Sequence, residues 1–160
     1  MENTLFDGGF DQLDHAILEE LQMNGRVSVA DLARKIHLSP PAVYQRIKRL
    51  ERAGVIKQYV ALVDREAAGY DLLCFIRVSI QPHTKECMSL FQSAIAEHPA
   101  VLECYHTAGS YDVLMKIVAR NQKALERFVS DDLMTIAGIE KIETSIVLTE
   151  MKDTTVLSLK

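Results

Sequence analysis

Residues 39–52 read Ser-Pro-Pro-Ala-Val-Tyr-Gln-Arg-Ile-Lys-Arg-Leu-Glu-Arg, and this stretch decides the interpretation of the first part of the chain. Ser39 is a residue type favoured at helix N-caps. Pro40 and Pro41 fit a first helical turn, whose backbone N–H groups have no partner inside the helix. Apolar residues then recur at helical spacing, and Gly54 follows as a stop. The stretch predicts a helix whose inner stripe is Val43, Ile47 and Leu50.

The opposite side of this predicted helix is polar and basic. Between residues 39 and 58 there are five Lys or Arg residues and one acidic residue, although the whole chain carries a formal charge of −4. Basic charge focused on one short segment is what a phosphate-contacting surface requires. The side chains of this face are Tyr44, Gln45, Lys48, Arg49 and Arg52, with Arg46 at the flank.

Two shorter helical patterns precede this segment. Apolar residues from Leu13 to Leu21 recur with helical spacing before Asn24-Gly25, and a capping box of the type Ser28-x-x-Asp31 opens a second pattern that runs to Ile36. A tight connection at 37–38 joins the second and third helices. Three short helices with a tight second turn form the helix-turn-helix arrangement, which places its third helix in a DNA major groove.

The chemistry of the third helix suits this role. Gln45 can bind adenine with two hydrogen bonds, and Arg46 or Arg49 can bind the O6 and N7 atoms of guanine. Lys48, Arg52 and the helix N-terminus at Ser39 suit phosphates. The alternative is that the basic stripe is only a solvated helix face. The two preceding helices favour DNA binding over that alternative.

The N-terminal domain is therefore expected to span 11–62, after a flexible start over 1–10. Residues 55–62 are rich in strand formers and predict a short strand or wing. A linker over 63–71, with Gly69 inside it, follows. The three cysteines show no metal-ligand spacing, and Cys74 and Cys104 lie in apolar strand patterns, so buried reduced thiols are expected.

The second half, 72–160, alternates strand and helix patterns in the order strand-helix-strand, twice. This order predicts a ferredoxin-like domain, in which four antiparallel strands carry both helices on one face. The inner residues of the first strand are expected at Cys74, Ile76, Val78 and Ile80. Apolar side chains on the opposite, open face predict oligomerisation through the sheet. The fold class is thus α+β, with a winged helix-turn-helix domain followed by a ferredoxin-like domain.

Several function classes are disfavoured. The five histidines are scattered over different elements without a zinc-binding spacing, and there is no phosphate-binding glycine-rich loop and no Gly-x-Ser-x-Gly motif. An enzyme, a metal site and a cofactor are therefore not expected. The absence of a long apolar run or a secretory leader predicts a cytoplasmic, nucleoid-associated protein.

Over nearly its whole length the sequence resembles the Lrp/AsnC, or feast/famine, family of transcriptional regulators. Five stretches of the N-terminal half carry this resemblance, and Ala108-Gly109-Ser110-Tyr111-Asp112 matches the family's Gly-x-aromatic-Asp turn. Residues 144–152 match its last strand and tail. The stretches of the N-terminal half are Leu13-Asp14 to Gly25-Arg26, Leu32-Ala33, Leu38-Ser39-Pro40, Val43 to Arg46 and Arg49-Leu50-Glu51 to Gly54-Val55-Ile56.

The resemblance implies a homodimer formed through the C-terminal sheets, further assembly into an octamer, and an amino-acid effector bound between neighbouring dimers. By position, the effector loop is Gly109, Ser110, Tyr111 and Asp112, with Thr144 and Ser145 as weaker candidates. An exposed glycine turn suits a ligand carboxylate or amine, and Asp112 suits an α-ammonium. The rival interpretation is an effector-independent architectural DNA-binding protein. The identity of the effector and the operator sequence stay open.

Overall fold

The structure is a computed structural model that describes residues 9–159, and the chain divides into two compact units. The N-terminal unit contains residues 9–62 together with 152–159, and the sheet unit contains 63–151. The expected flexible start falls largely on residues 1–8, which lie outside the described residues.

The second domain was expected to span residues 72–160, but the end of the described chain does not belong to the sheet unit. Residues 152–159 group with the N-terminal unit, because Leu159 packs against its core and Leu157 is hydrogen-bonded to Gln22. Residues 63–71, expected as a linker, form a hydrogen-bonded turn that groups with the sheet unit, and the backbone N–H of Ala68 donates to Asp64.

Three helices build the N-terminal unit: α1 (Gln12–Met23), α2 (Val29–Lys35) and α3 (Pro40–Arg52). Asp11 caps α1, and Asp14 returns the bond to the backbone of Asp11, which completes a capping box. Ser28 caps α2 by accepting from the backbone N–H of Asp31. The predicted inner faces meet in one core formed by Ile17, Leu18, Leu32, Ala33, Val43, Ile47 and Leu50.

The strand predicted over 55–62 does not form. The segment is irregular, and the backbone N–H groups of Val55 and Ile56 donate to the carbonyl of Leu50, at 3.0 and 3.2 Å. These bonds terminate α3, with Gly54 at a φ of 71°. A strand needs a partner to satisfy its backbone groups, and strand-forming residues alone do not supply one.

The sheet unit has the predicted strand-helix-strand order, twice. Its strands pair in the antiparallel order β2-β3-β1-β4, which is the ferredoxin-like topology. The second helix continues from α-helical into π-helical geometry. The elements are β1 (Leu72–Ile80), α4 (Lys85–Ile95), β2 (Val101–His106), β3 (Val113–Ala119), α5 (Gln122–Arg127), its π-helical continuation (Phe128–Leu133) and β4 (Ile139–Ile146).

One face of the sheet packs on both helices. The four predicted inner residues of β1 are buried, together with Phe91 of α4 and Phe128 after α5. Cys74 is buried, as expected, whereas Cys104 is exposed. The expectation for Cys104 was wrong because β2 is an edge strand, whose residues after Val101 are all exposed.

Candidate nucleic-acid interface and ligand loop

The polar face of α3 is presented at the surface of the N-terminal unit. Tyr44 is 48% exposed, and Gln45, Arg49 and Arg52 are exposed as well. Ser39 occupies the N-cap position but makes no capping hydrogen bond through its side chain. Its hydroxyl is therefore not used by the helix, and Pro40 and Pro41 are exposed beside it.

Arg46 is held by the beginning of α1. Its Nη1 atom lies 2.8 Å from both carboxylate oxygens of Asp11 and 2.9 Å from Oδ1 of Asp14. The Asp14 side chain has no exposed surface, and that of Arg46 is only 25% exposed. A buried carboxylate needs paired charges and hydrogen bonds to compensate for its lost hydration, and Arg46 provides both.

Arg49 contributes to the same cluster. Its Nη2 atom donates to Oδ2 of Asp14, and its guanidinium carbon lies 5.7 Å from the centroid of the Phe10 ring. Half of its side-chain surface remains exposed. We call Asp11, Asp14, Arg46 and Arg49 the acid–arginine cluster. Two arginines assigned from sequence to base reading therefore also join α3 to α1.

Asp11 and Arg46 favour each other's ionised forms. Burial acts to raise the pKa of Asp11, but hydrogen bonds from Arg46 and from the backbone of Asp14 outweigh it, so this pKa lies below its ordinary value. Hydrogen bonds to Asp11 and then Asp14 raise the pKa of Arg46. Asp11 and Arg46 are thus both ionised at neutral pH.

Lys48 has a lighter attachment further along α3. Its ammonium lies 2.7 Å from Oε2 of Glu51 and 5.7 Å from the centroid of the Tyr44 ring. The hydrogen bond to Glu51 raises the pKa of Lys48, and the same bond lowers the pKa of Glu51. The hydroxyl of Tyr59 also donates to Glu51, at 3.2 Å. A partly exposed pair of this kind contributes little to stability.

The side chains of Gln45 and Arg52 are exposed and make no hydrogen bond or ion pair with any other residue between 9 and 159. The nine residues assigned to DNA binding from sequence all lie on α3 or at its N-cap. Gln45 and Arg52 differ from Arg46 and Arg49, which are paired with carboxylates. Sequence patterns did not reveal the residues that contact the basic side chains of α3 or their carboxylates, namely Asp11, Asp14, Glu51 and Tyr59. The acidic pair at the first turn of α1 was a visible signal only for a capping box.

The turn between β2 and β3 contains the candidate ligand loop, residues 109–112. Gly109 has a φ of 150°, in the region that favours glycine, and a Cβ added there would meet nothing within 4 Å. The carbonyl of Ser110 accepts from the hydroxyl of Ser79 at 3.4 Å. The loop therefore presents exposed main chain at Gly109 and Ser110.

Asp112 fixes the base of this loop. Its Oδ2 atom accepts from the backbone N–H of Ile80 at 2.7 Å, and its Oδ1 atom lies 3.1 Å from Nδ1 of His83. Its own backbone N–H donates to Val78, and its carbonyl accepts from Thr107. The carboxylate expected to meet a ligand ammonium is thus engaged in organising the loop.

Tyr111 lies within a polar group on the open face of the sheet. Its hydroxyl donates to Oε2 of Glu143 at 2.6 Å, and Lys141 lies 4.9 Å from the centroid of its ring. Arg77 is 2.6 Å from the other oxygen of Glu143. Hydrogen bonds from Tyr111 and then Arg77 lower the pKa of Glu143.

Thr144 and Ser145 lie on opposite faces of β4. Thr144 is opposite Ile76, which belongs to the helix-covered face, and Ser145 is opposite Phe75 on the open face. Neighbouring residues of a strand alternate between faces, so the two cannot contribute equally to one surface. Ser145 shares the face of Glu143 and hence of Tyr111.

Other kinds of site find no support in the described chain. No helix within residues 9–159 is both long enough and apolar enough to cross a membrane. Across the same residues, no three His, Cys, Asp or Glu side chains are grouped so that they could hold a metal ion.

Two family models match the chain, one for each unit. A model described as winged helix-turn-helix DNA-binding matches residues 10–57, and a model described as the Lrp/AsnC ligand binding domain matches residues 73–157. Together they cover most of the sequence and agree with the two units in order.

Similar proteins cover nearly the full length. Transcriptional regulator AzlB of Bacillus subtilis is 36% identical over 90% of this chain and 92% of its own length. The leucine-responsive regulatory protein of Rhizobium meliloti is 33% identical over 89% of this chain and 92% of its own. Both relatives are transcriptional regulators.

Solved structures agree with these relatives. A transcriptional regulator of Neisseria meningitidis, solved as a complex with L-methionine, is 37% identical and has a TM-score of 0.90, covering 94% of this chain and 97% of that one. AsnC of E. coli is 31% identical with a TM-score of 0.85, covering 92% of this chain and 97% of that one. The chain therefore belongs to the Lrp/AsnC family of DNA-binding transcriptional regulators, with a ligand-binding domain, and is not an enzyme.

Proposed function

We propose that this protein is a sequence-specific regulator whose DNA affinity or assembly changes when a small effector binds to its sheet unit. The observation that supports DNA binding is the exposed polar face of α3. The apolar face of the same helix is packed in the core of the helix-turn-helix. A helix with this division of faces is suited to enter a major groove.

The contacts divide the proposed DNA-binding residues into roles. Gln45 is proposed to read a base, because its amide has no protein partner among the described residues and suits adenine. Arg52, Lys48 and the N-terminus of α3 at Ser39, Pro40 and Pro41 are proposed to contact phosphates. Tyr44 is proposed to pack beside the groove, next to Lys48.

The acid–arginine cluster is proposed mainly to position α3 against α1. Arg46 makes three short contacts with α1 and is mostly covered, so it fixes the recognition helix against the first helix. Arg49 has enough exposed surface to contact guanine or phosphate with its remaining N–H groups. Arg49 would then join DNA to the cluster.

For the effector, we propose an amino acid bound at the ligand loop. Support comes from the matched ligand-binding domain, from the L-methionine complex of the similar Neisseria regulator, and from the open space beside Gly109. The main chain of Gly109 and Ser110 would bind the ligand carboxylate or ammonium. Tyr111 and Ser145 would line the open-face side, Asp112 would hold the loop in place, and Thr144 remains the weakest candidate.

Assembly is the proposed link between the two activities. Homodimers would form through the open sheet face and associate further, with an octamer as the expected assembly. Several recognition helices would then bind DNA together and gain avidity. An effector that changes the assembly would change the spacing of these helices. A DNA partner implies a cytoplasmic, nucleoid-associated location.

The second candidate function is an architectural DNA-binding protein that responds to no effector. The carboxylate of Asp112 is satisfied inside the protein, and this observation favours that candidate. A thermal-shift screen against the twenty amino acids separates the two, because a ligand that binds only the folded state raises its melting temperature. At a concentration of a hundred times its Kd, an effector would raise Tm by about 5–10 °C. A flat screen from a folded protein would support the architectural candidate.

A further inference from the structure

The tail, residues 152–159, crosses back to the N-terminal unit after β4. The backbone N–H of Leu157 donates to Oε1 of Gln22 at 2.7 Å, and the Nε2 atom of Gln22 donates to the carbonyl of Leu157 at 3.1 Å. One side-chain amide of α1 thus binds both polar groups of one peptide residue. The two bonds resemble those that neighbouring strands exchange in a β-ladder. Because they involve only main-chain groups of residue 157, they do not depend on its side chain.

The side chains of the tail agree with a docked segment. Leu159 packs against the core of the N-terminal unit, whereas Leu157, two residues earlier, is 70% exposed. Beside the tail lies an open groove of about 570 Å³, bordered by α1, by the end of α2 and by residues 156–159. An ion pair between Lys35 and Glu20 links α2 to α1 along the same groove.

The chain therefore passes between the two units twice, at 62–63 and again at 151–152. Both passages are tied together inside the sheet unit. Arg65 lies 3.2 Å from Glu150 and donates to the carbonyl of Tyr70 at 2.6 Å. The far end of the second passage is the Gln22 contact on α1, and α1 also carries the Asp11 and Asp14 carboxylates that hold the arginines of α3.

We propose that the tail is a releasable strap, docked on α1 through Gln22 and Leu159, which makes the stability of α1 depend on a segment that continues directly from the ligand-binding domain. The occupant of this docking surface is the chain's own tail. Its polar contacts are exposed and few, so docked and released forms exchange readily. The strap steadies α1, and through the acid–arginine cluster it steadies the recognition helix.

Hydrogen exchange tests the docking with a matched pair of variants. Leu157→Pro removes the backbone N–H that donates a hydrogen bond to Gln22. Leu157→Ala keeps this N–H and shortens only an exposed side chain. Leu157→Pro and Gln22→Ala should both speed exchange at residues 156–159 and in the last turn of α1, by about three- to tenfold. Leu157→Ala should match the wild type.

Three results would overturn the strap. Unchanged exchange in Leu157→Pro would mean that the tail is not docked, and equal acceleration in Leu157→Ala would mean that Gln22 does not read the main chain. Acceleration that also extends through α2 and β1 would mean general loosening. These outcomes do not depend on DNA.

The effect on DNA rests on the proposed function of α3 and is measured separately. Fluorescence anisotropy with a random-sequence duplex should give a Kd for Leu157→Pro that is about two- to tenfold higher than for Leu157→Ala, since release of one exposed hydrogen-bonded contact loosens α1 by that factor. Equal Kd values with altered exchange would overturn the coupling to α3. Failure of both proteins to bind DNA would instead contradict the proposed function.

Discussion

The two units hold their functional surfaces by different interactions. In the N-terminal unit, α3 is joined to α1 by ion pairs between side chains, centred on the buried carboxylate of Asp14. In the sheet unit, the ligand loop is held by hydrogen bonds in which the main chain of Val78, Ile80 and Asp112 takes part. The proposed DNA-binding surface is thus held by charged side chains, and the candidate ligand loop is held through backbone groups.

The proposed DNA-binding surface and the candidate ligand loop should therefore respond to different changes in conditions and sequence. Salt screens exposed charges, and phosphates compete with carboxylates for arginine, so the DNA-facing surface should respond to ionic conditions. The ligand loop relies on one carboxylate that supports backbone groups, so its shape should depend on that residue and little on salt.

Asp14→Ala should give the largest loss of stability. It leaves Arg46 and Arg49 without their shared buried partner, and breaking a buried pair from one side costs about 3 kcal/mol or more. Urea denaturation should show this loss in the N-terminal unit. Asp31→Ala, at an exposed position in the first turn of α2, is the control and should cost much less. Equal stability of the two variants would show that the acid–arginine cluster does not hold α3.

Asp112→Ala should have the next largest effect and should act on the sheet unit. It removes the acceptor of the Ile80 N–H group and the partner of His83, which costs about 1–3 kcal/mol. Asp112→Asn keeps an oxygen acceptor and should cost less. Denaturation and thermal-shift titrations measure stability and ligand response together. An Asp112→Ala protein that keeps full stability but loses its ligand would assign the carboxylate to the ligand instead of the loop.

Gln45→Ala and Arg52→Ala should alter DNA binding without altering stability. Loss of a base contact at Gln45 should weaken operator binding by about 1–3 kcal/mol and leave random DNA unaffected. Arg52→Ala should weaken both kinds of DNA and lower the salt dependence by about one phosphate contact. Anisotropy titrations at several salt concentrations distinguish the two. A salt slope that stays unchanged in Arg52→Ala would place this residue away from phosphate.

Acid should weaken the N-terminal unit through Asp11. Its pKa in the folded protein lies below the ordinary value, so the group adds stability above its unfolded pKa and loses it as pH falls through the folded pKa. The loss should therefore appear below about pH 4. Asp11→Asn should flatten this part of the stability curve, as followed by denaturation at each pH. If the curve of the variant has the same slope as that of the wild type, Asp11 is not responsible for the loss of stability in acid.

Periodicity predicted the regular elements well. The inner residues of α1, α2 and α3 and the inner face of β1 followed from helical and alternating spacing, because burial of one face imposes that spacing on the sequence. The strand expected at 55–62 failed, since strand formation depends on a partner that local sequence does not reveal. The exposure of Cys104 was missed for a similar reason, because strand order decides which strand lies at the edge.

Long-range pairing decided the chemistry of the candidate sites. From sequence, Arg46 and Arg49 were assigned to base reading, but Asp11 and Asp14, more than thirty residues earlier, pair with both of them. The same holds for Asp112, whose partners are Ile80 at the end of β1 and His83 in the loop that follows.

Local sequence was sufficient to predict the two-part architecture, the family and the positions of α3 and of the candidate ligand loop. These properties reside in local spacing, turn residues and ordered motifs, which are written along the chain. Only the tertiary structure decided which charged groups are already paired, where the tail docks, and which face of β4 Thr144 and Ser145 occupy. The physical reason is that pairing and burial depend on distances in space between residues that are far apart in sequence, and these distances exist only once the chain has packed.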